Sequence, residues 1–222
     1  MNSGFTVDNN EILRYLRYNG QQLDQEMQAL IDECRELVVQ KIAPKYAAAS
    51  FSVEFKDGTA HIAGTTLQIS GDSIKKHLGG SSTCLLFAAT LGGAIEREIS
   101  LAKISNLTKA IVLDAACTAA IESYCDSLEP MLECEFVPDG YALNFRFGIG
   151  YGDVDISLQN EFCRVLDTQR KIGLTVSDSG ILLPRKSVTA IYGIVPQTEK
   201  KPKTGCKACS NYQNCNFKRR ED

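Results

Sequence analysis

The order of helical and strand patterns along the chain is the feature that most constrains its fold. Long helices are predicted at residues 21–42 and 107–128, where apolar or small residues recur at three- and four-residue spacing. Strand patterns form local clusters, among them residues 83–90, 141–148 and 187–195. Because strands and helices do not alternate regularly, we expect an α+β fold, with a twisted, largely antiparallel sheet packed with long helices, rather than a doubly wound parallel sheet.

Composition and charge narrow the class of protein. The chain has 222 residues, of which 44% are apolar and 23% are charged, as in soluble globular domains. No apolar run reaches the ~20 residues of a membrane span, and no secretion signal precedes the first helix. We therefore expect a cytoplasmic protein that does not contact a membrane. The net charge of −3 gives no reason to expect nucleic-acid binding.

The common nucleotide-binding and hydrolase motifs are absent from the sequence. It contains neither Gly-x-Gly-x-x-Gly nor Gly-x-x-x-x-Gly-Lys-Ser/Thr. It also lacks Gly-x-Ser-x-Gly and His-Glu-x-x-His. The only histidines are His61 and His77, which argues against a histidine-rich metal site or a catalytic histidine relay.

The end of the chain differs from the rest, and we predict a body of residues 1–197 followed by a basic, cysteine-rich tail of residues 198–222. From Glu199 to Asp222 there are seven basic and three acidic residues. This charge is typical of a segment that binds an anionic partner or simply of a solvated terminus. Six of the nine cysteines lie in apolar or helical contexts, and the other three are close together: Cys206, Cys209 and Cys215.

Three cysteines within ten residues suggest a metal site in the tail. Thiolates bind iron–sulfur clusters and structural zinc, and both usually take four ligands. The fourth ligand would come from an upstream cysteine, from a partner or from an exogenous molecule. The alternative is that Cys206, Cys209 and Cys215 are reduced thiols that bind no metal.

Residues 146–153 (RFGIGYGD) carry the most informative combination of side chains. Three glycines within five residues at the end of a strand indicate irregular backbone that something approaches closely. The guanidinium of Arg146 is suited to binding a carboxylate through two hydrogen bonds. Tyr151 adds a flat apolar face and one hydroxyl. These residues could bind a small molecule with a carboxylate and an aromatic ring, or form a glycine-rich corner with a surface arginine.

The pattern Arg146-x-x-x-Gly150-Tyr151 resembles the S-adenosylmethionine-binding motif in the activation (reactivation) domain of cobalamin-dependent methionine synthase. Residues 183–192 resemble the strand-rich block of that family, which contains Pro-x-x-Ser-Val-Ser/Thr. The resemblance covers roughly residues 7–195. No homocysteine, folate or cobalamin domain accompanies it, so we expect a free-standing activation module with an added cysteine-rich tail.

The resemblance implies a function in the reductive methylation of cob(II)alamin on a separate corrinoid-dependent methionine synthase or another corrinoid protein. Arg146 would bind the methionyl carboxylate of S-adenosylmethionine, Gly150 would line the adenosine, and Tyr151 would lie along the cleft. Asp8 would supply the carboxylate that the family places near its N-terminus. The partner would supply cobalamin, and a donor such as flavodoxin or ferredoxin would supply the electron.

The need for an electron favours a [4Fe–4S] cluster over zinc in the tail, although the cysteine spacing does not distinguish them. One alternative function is a non-catalytic iron–sulfur or zinc module that carries electrons and docks on a corrinoid protein. Another is a conventional methyltransferase acting on a small acceptor, against which the missing dinucleotide-binding motif argues.

Overall fold

The structure, a computed structural model, describes residues 5–18, 20, 22–199 and 213. The helices of this part of the chain are α1 (Asn9–Tyr15), α2 (Gln25–Lys41), α3 (Asp72–Leu78), α4 (Ala94–Ser105), α5 (Leu107–Phe136), α6 (Gln159–Leu166) and α7 (Thr168–Ile172). The strands are β1 (Lys45–Lys56), β2 (Thr59–Ile62), β3 (Gln68–Ser70), β4 (Thr83–Thr90), β5 (Tyr141–Leu143), β6 (Phe147–Gly148), β7 (Thr175–Val176), β8 (Leu182–Leu183) and β9 (Ser187–Pro196).

The described residues group into two compact units. The helical unit lies within residues 5–43 and 93–127 and contains α1, α2, α4 and most of α5. The sheet unit lies within residues 44–92 and 128–199 and contains the strands, α3, α6, α7 and the end of α5.

Every strand pair in the sheet unit is antiparallel. The main sheet has the order β3-β2-β1-β4-β9-β5, β6 also pairs with β9, and β7 and β8 form a separate hairpin. Strand β4 is central, and Leu86 lies between Ala49 of β1 and Ile191 of β9. The mixture of helices with an antiparallel sheet confirms the α+β class predicted from the element order.

The apolar core of the sheet unit fixes where α6 lies. Phe162 and Leu166 are four residues apart on one face of this helix, and both are fully buried. Helix α6 contacts β4, whose Leu86 belongs to the same core. Burying a side chain of this size contributes about 1.5–3 kcal/mol. The packing of α6 therefore fixes the part of the chain that follows the glycine-rich segment of residues 146–153.

Helix α5 is longer than the sequence indicates, because it continues through Pro130 to Phe136. An internal proline costs a helix about 3 kcal/mol. Leu132 is fully buried, and its burial offsets much of that cost. Helical backbone hydrogen bonds also continue beyond the proline, since the Val137 N–H donates to the Glu133 carbonyl at 3.1 Å. Tertiary packing therefore sustains the last turns.

In the helical unit, α2 has a side-chain cap at its start and one buried face. The Asp24 carboxylate accepts the Met27 N–H at 2.7 Å and caps α2. Along α2 the buried face consists of Ile31, Cys34 and Val38. Among the helices of the described residues, none combines the length and apolar character that crossing a membrane requires.

Candidate functional site

A change of register along β9 shapes the backbone at Arg146. Leu143 of β5 faces Ile194, whereas Phe147 of β6 faces Ile191. Leu143 and Phe147 are four positions apart along the chain, but their partners on β9 are only three positions apart. A β-bulge absorbs the extra residue, and Arg146 lies within it. Bulges of this kind redirect side chains and are common beside binding sites.

The Arg146 side chain is mostly buried, with 17% of its surface exposed. Its Nη1 atom lies 3.8 Å from Oε1 of Glu129, which belongs to the last part of α5. The hydroxyl of the fully buried Tyr192 donates a long hydrogen bond of 3.4 Å to the same oxygen. The guanidinium is therefore positioned beside a carboxylate and does not extend into bulk solvent.

Gly150 and Tyr151 form a tight turn directly after β6. Gly150 has a φ of +88°, and a Cβ atom at this position would lie 2.5 Å from Cδ1 of Ile156. The Tyr151 N–H donates to the Gly148 carbonyl at 3.2 Å. The Tyr151 ring lies over Gly148 and is 70% exposed. An aromatic face is therefore exposed to solvent beside Gly148, which has no side chain to cover it.

Ile156 connects this turn to the β7–β8 hairpin. Its side chain occupies the space beside Gly150 and also the space beside Gly180, where a Cβ would meet it at 3.1 Å. Ile156 and Ile181 are about half exposed, at 46% and 49%. The turn therefore has an apolar margin on the side of the hairpin, suited to the flat face of a heterocycle.

Asp153 joins the glycine-rich segment to the start of α3. Its Oδ2 accepts the Asp72 N–H at 2.6 Å, and its Oδ1 accepts the Ser73 N–H at 3.0 Å. The Ser73 hydroxyl and these backbone N–H groups hold the pKa of Asp153 below its usual value. The charged carboxylate is the form that accepts these bonds, so it is the form that the folded structure favours.

Asp8, which the resemblance offers as a second ligand carboxylate, lies in the helical unit. It is exposed and caps α1, where its Oδ1 accepts the Asn10 N–H at 2.9 Å. The carboxylate thus has a local structural role, and its contact with a ligand stays a prediction.

The cysteines of the described residues do not form a metal site. Burial raises the pKa of Cys34 to about 11 and that of Cys84 to about 12, so these thiols are neutral at physiological pH. Nowhere in the described part of the chain are three His, Cys, Asp or Glu side chains grouped to hold a metal. The predicted metal ligands lie outside the described residues: Cys206, Cys209 and Cys215.

The structure brings Arg146, Gly150 and Tyr151 together in one segment of the sheet unit, while their contact with a ligand stays a prediction. Sequence reasoning missed Glu129 and Asp153. The proximity of Asp153 to the three glycines was the available signal, but its partners lie about eighty positions earlier in the chain. Spacing does not indicate a contact at that separation.

Comparison with solved structures identifies the fold. A crystal structure of the MetH reactivation domain bound to AdoHcy (S-adenosylhomocysteine) matches the chain with a TM-score of 0.60. The match covers 85% of this chain and 72% of that chain, at 12% sequence identity. No family model matches the sequence, and no curated protein matches it significantly. The chain has the mixed helix and antiparallel-sheet fold of the MetH reactivation domain.

Proposed function

We propose that this chain binds S-adenosylmethionine and assists the reductive methylation of cob(II)alamin on a separate corrinoid-dependent methionine synthase. The observation that carries the proposal is the mostly buried Arg146 at a bulge, followed four and five residues later by Gly150 and the exposed Tyr151 in a tight turn. The fold neighbour supports the ligand class, since that domain was crystallised with AdoHcy. Because one fold hosts many functions, the side chains of this segment must supply the specificity.

Each residue of the segment has a defined part in the proposed site. Arg146 binds the methionyl carboxylate, since a guanidinium donates two parallel hydrogen bonds to such a group. The backbone at Gly150 lines the nucleoside, and Ile156, which fills the space beside Gly150, adds apolar surface there. The exposed ring of Tyr151 stacks beside the adenine or ribose. The protein thereby orients the sulfonium methyl group, and catalysis by this chain is positioning.

The reaction consumes one electron from a separate donor such as flavodoxin or ferredoxin. The methyl group passes from the sulfonium sulfur to the cobalt of cobalamin, which the partner carries, and AdoHcy remains. A [4Fe–4S] cluster on Cys206, Cys209 and Cys215 would place an electron carrier on this chain. A visible spectrum of the anaerobically purified protein tests that part independently, since a cluster absorbs broadly and bleaches on reduction, whereas zinc is colourless.

Titration calorimetry with AdoHcy tests the ligand-binding proposal. Wild-type protein is expected to bind, and Arg146→Ala is expected to bind about 10- to 150-fold more weakly, because a charge-assisted hydrogen bond contributes roughly 1.5–3 kcal/mol. Arg146→Lys keeps the charge but loses the planar fork, so its affinity should fall between the two.

Arg170→Ala is the matched control for this titration. Arg170 is 83% exposed and pairs with Asp167 at 2.6 Å, so its loss should leave the affinity unchanged. Circular dichroism of each variant checks that it is folded. If the wild type releases no heat with AdoHcy yet carries a reducible cluster, the electron-carrier alternative is correct instead.

A further inference from the structure

The contact between Asp153 and α3 fixes one end of the glycine-rich segment. Both carboxylate oxygens are engaged, each by a different backbone N–H of the first turn of α3. At the other end, Gly148 of β6 is paired with Ala190 of β9. The residues between them, which include Gly150 and Tyr151, are therefore held at both ends.

At the junction, a side chain of each segment fills the space beside a glycine of the other segment. A Cβ at Gly71 would lie 2.8 Å from Oδ1 of Asp153, and a Cβ at Gly152 would collide with Oγ of Ser73. Both glycines also have positive φ angles, +134° and +61°. The two glycines therefore leave room for the Asp153 carboxylate and the Ser73 hydroxyl, which connect the segment to α3.

Holding the segment matters because glycine-rich backbone is the most flexible kind. Glycine loses more conformational freedom on ordering than any other residue. A ligand that had to order this turn itself would bind more weakly, whereas a turn ordered beforehand removes that cost. Asp153 lies two residues beyond Tyr151, so its contact with α3 restricts the residues that would touch the ligand.

We propose that Asp153 is the positioning residue of this site: by accepting the Asp72 and Ser73 N–H groups it orders the Gly150–Tyr151 turn before S-adenosylmethionine binds. The inference rests on the proposed function and deepens it, since Asp153 acts through the turn and does not touch the ligand. Asp24 offers a matched control. It is also exposed and accepts a backbone N–H, that of Met27 at 2.7 Å, but it caps α2, which carries no residue of the proposed site.

The test combines amide hydrogen exchange with AdoHcy titration on the full chain. In Asp153→Ala, exchange should rise at the amides of residues 72–73 and 150–152, and AdoHcy should bind about tenfold more weakly, comparable with ordering one extra residue on binding. Asp153→Asn keeps one acceptor oxygen, so its amide exchange and its AdoHcy affinity should be intermediate. This variant provides the test if Asp153→Ala does not fold. Asp24→Ala should change affinity by less than about twofold while losing similar stability.

Two results overturn the inference while leaving the proposed function in place. One is wild-type affinity in a folded Asp153→Ala variant whose segment exchanges faster. The other is unchanged exchange at residues 150–152. Lack of AdoHcy binding by the wild type instead overturns the proposed function itself, whatever the Asp153 variants do. An equal loss of affinity in Asp24→Ala would identify both carboxylates as general stabilisers and would also contradict the inference.

Discussion

Gly150 meets two requirements that no residue with a side chain satisfies. Its φ of +88° lies in the left-handed region, and the space that a Cβ would occupy is filled by Cδ1 of Ile156. Gly140 shares the first requirement, with a φ of +82°, but nothing lies within 4 Å of its Cβ position. Comparing the two positions therefore separates backbone strain from the steric conflict.

We predict that Gly140→Ala lowers the free energy of unfolding by about 1–2 kcal/mol through strain alone. Gly150→Ala should lose more, because the methyl group displaces Ile156. Adding Ile156→Val to Gly150→Ala removes Cδ1 and should reduce the loss to that of Gly140→Ala. Urea denaturation measures all three variants, and equal losses for the two single glycine variants would contradict the steric explanation.

At the level of single residues, the sequence indicates candidate side chains but not the contacts that they make. Arg146, Gly150 and Tyr151 could be proposed as site residues because their spacing along one segment is visible in the sequence, and their contact with a ligand stays a prediction. Glu129 and Asp153 were not, since each contacts the segment or its surroundings across a separation that only the folded chain closes. The bulge at Arg146 also has no signal of its own, because it depends on the pairing of two short strands with β9.

The secondary-structure elements were predicted where their pattern is strong and missed where packing or capping decides. Strand β4 was predicted with its observed bounds, because a continuous apolar run of strand length fits a central strand. The strand predicted at residues 141–148 is instead β5 and β6, separated by the bulge. A 3₁₀ turn precedes α6, and Asp155 caps it by accepting the Ser157 N–H.

Carboxylates that join elements make stability dependent on pH. Hydrogen bonds from Asn9 and Gln28 lower the pKa of Asp32, and bonds at the starts of α3 and the 3₁₀ turn lower those of Asp153 and Asp155. A pKa that is lower in the folded state means that the unfolded chain binds more protons in acid. The stabilisation is therefore complete above the unfolded value of about 4 and is lost as the pH falls through the folded values.

We predict that the stability difference between wild type and the Asp153→Asn/Asp155→Asn variant is constant near neutral pH and shrinks toward pH 3. Urea denaturation at a series of pH values measures it. Asp178→Asn, at an exposed aspartate between β7 and β8, is the control variant. A difference that stays constant down to pH 3 would show that the two carboxylates do not stabilise the fold through their charged forms.

The fold class of the whole molecule was predictable because it depends on element order, which tolerates errors in the bounds. An irregular order of helices and strands indicated an antiparallel α+β fold, and the MetH reactivation domain has that fold. No comparable sequence pattern indicates the division into a helical and a sheet unit, since each unit consists of separate stretches of the chain. The boundary between body and tail at residues 197 and 198 stays a prediction.

Amide chemical-shift mapping of the full chain during titration with AdoHcy tests most directly whether the Arg146 segment is the ligand site. We predict saturable shifts concentrated at residues 146–153, abolished or much weakened in Arg146→Ala and retained in Arg170→Ala. Unchanged signals for residues 146–153 at saturating AdoHcy would contradict the assignment, even if shifts appeared elsewhere in the chain.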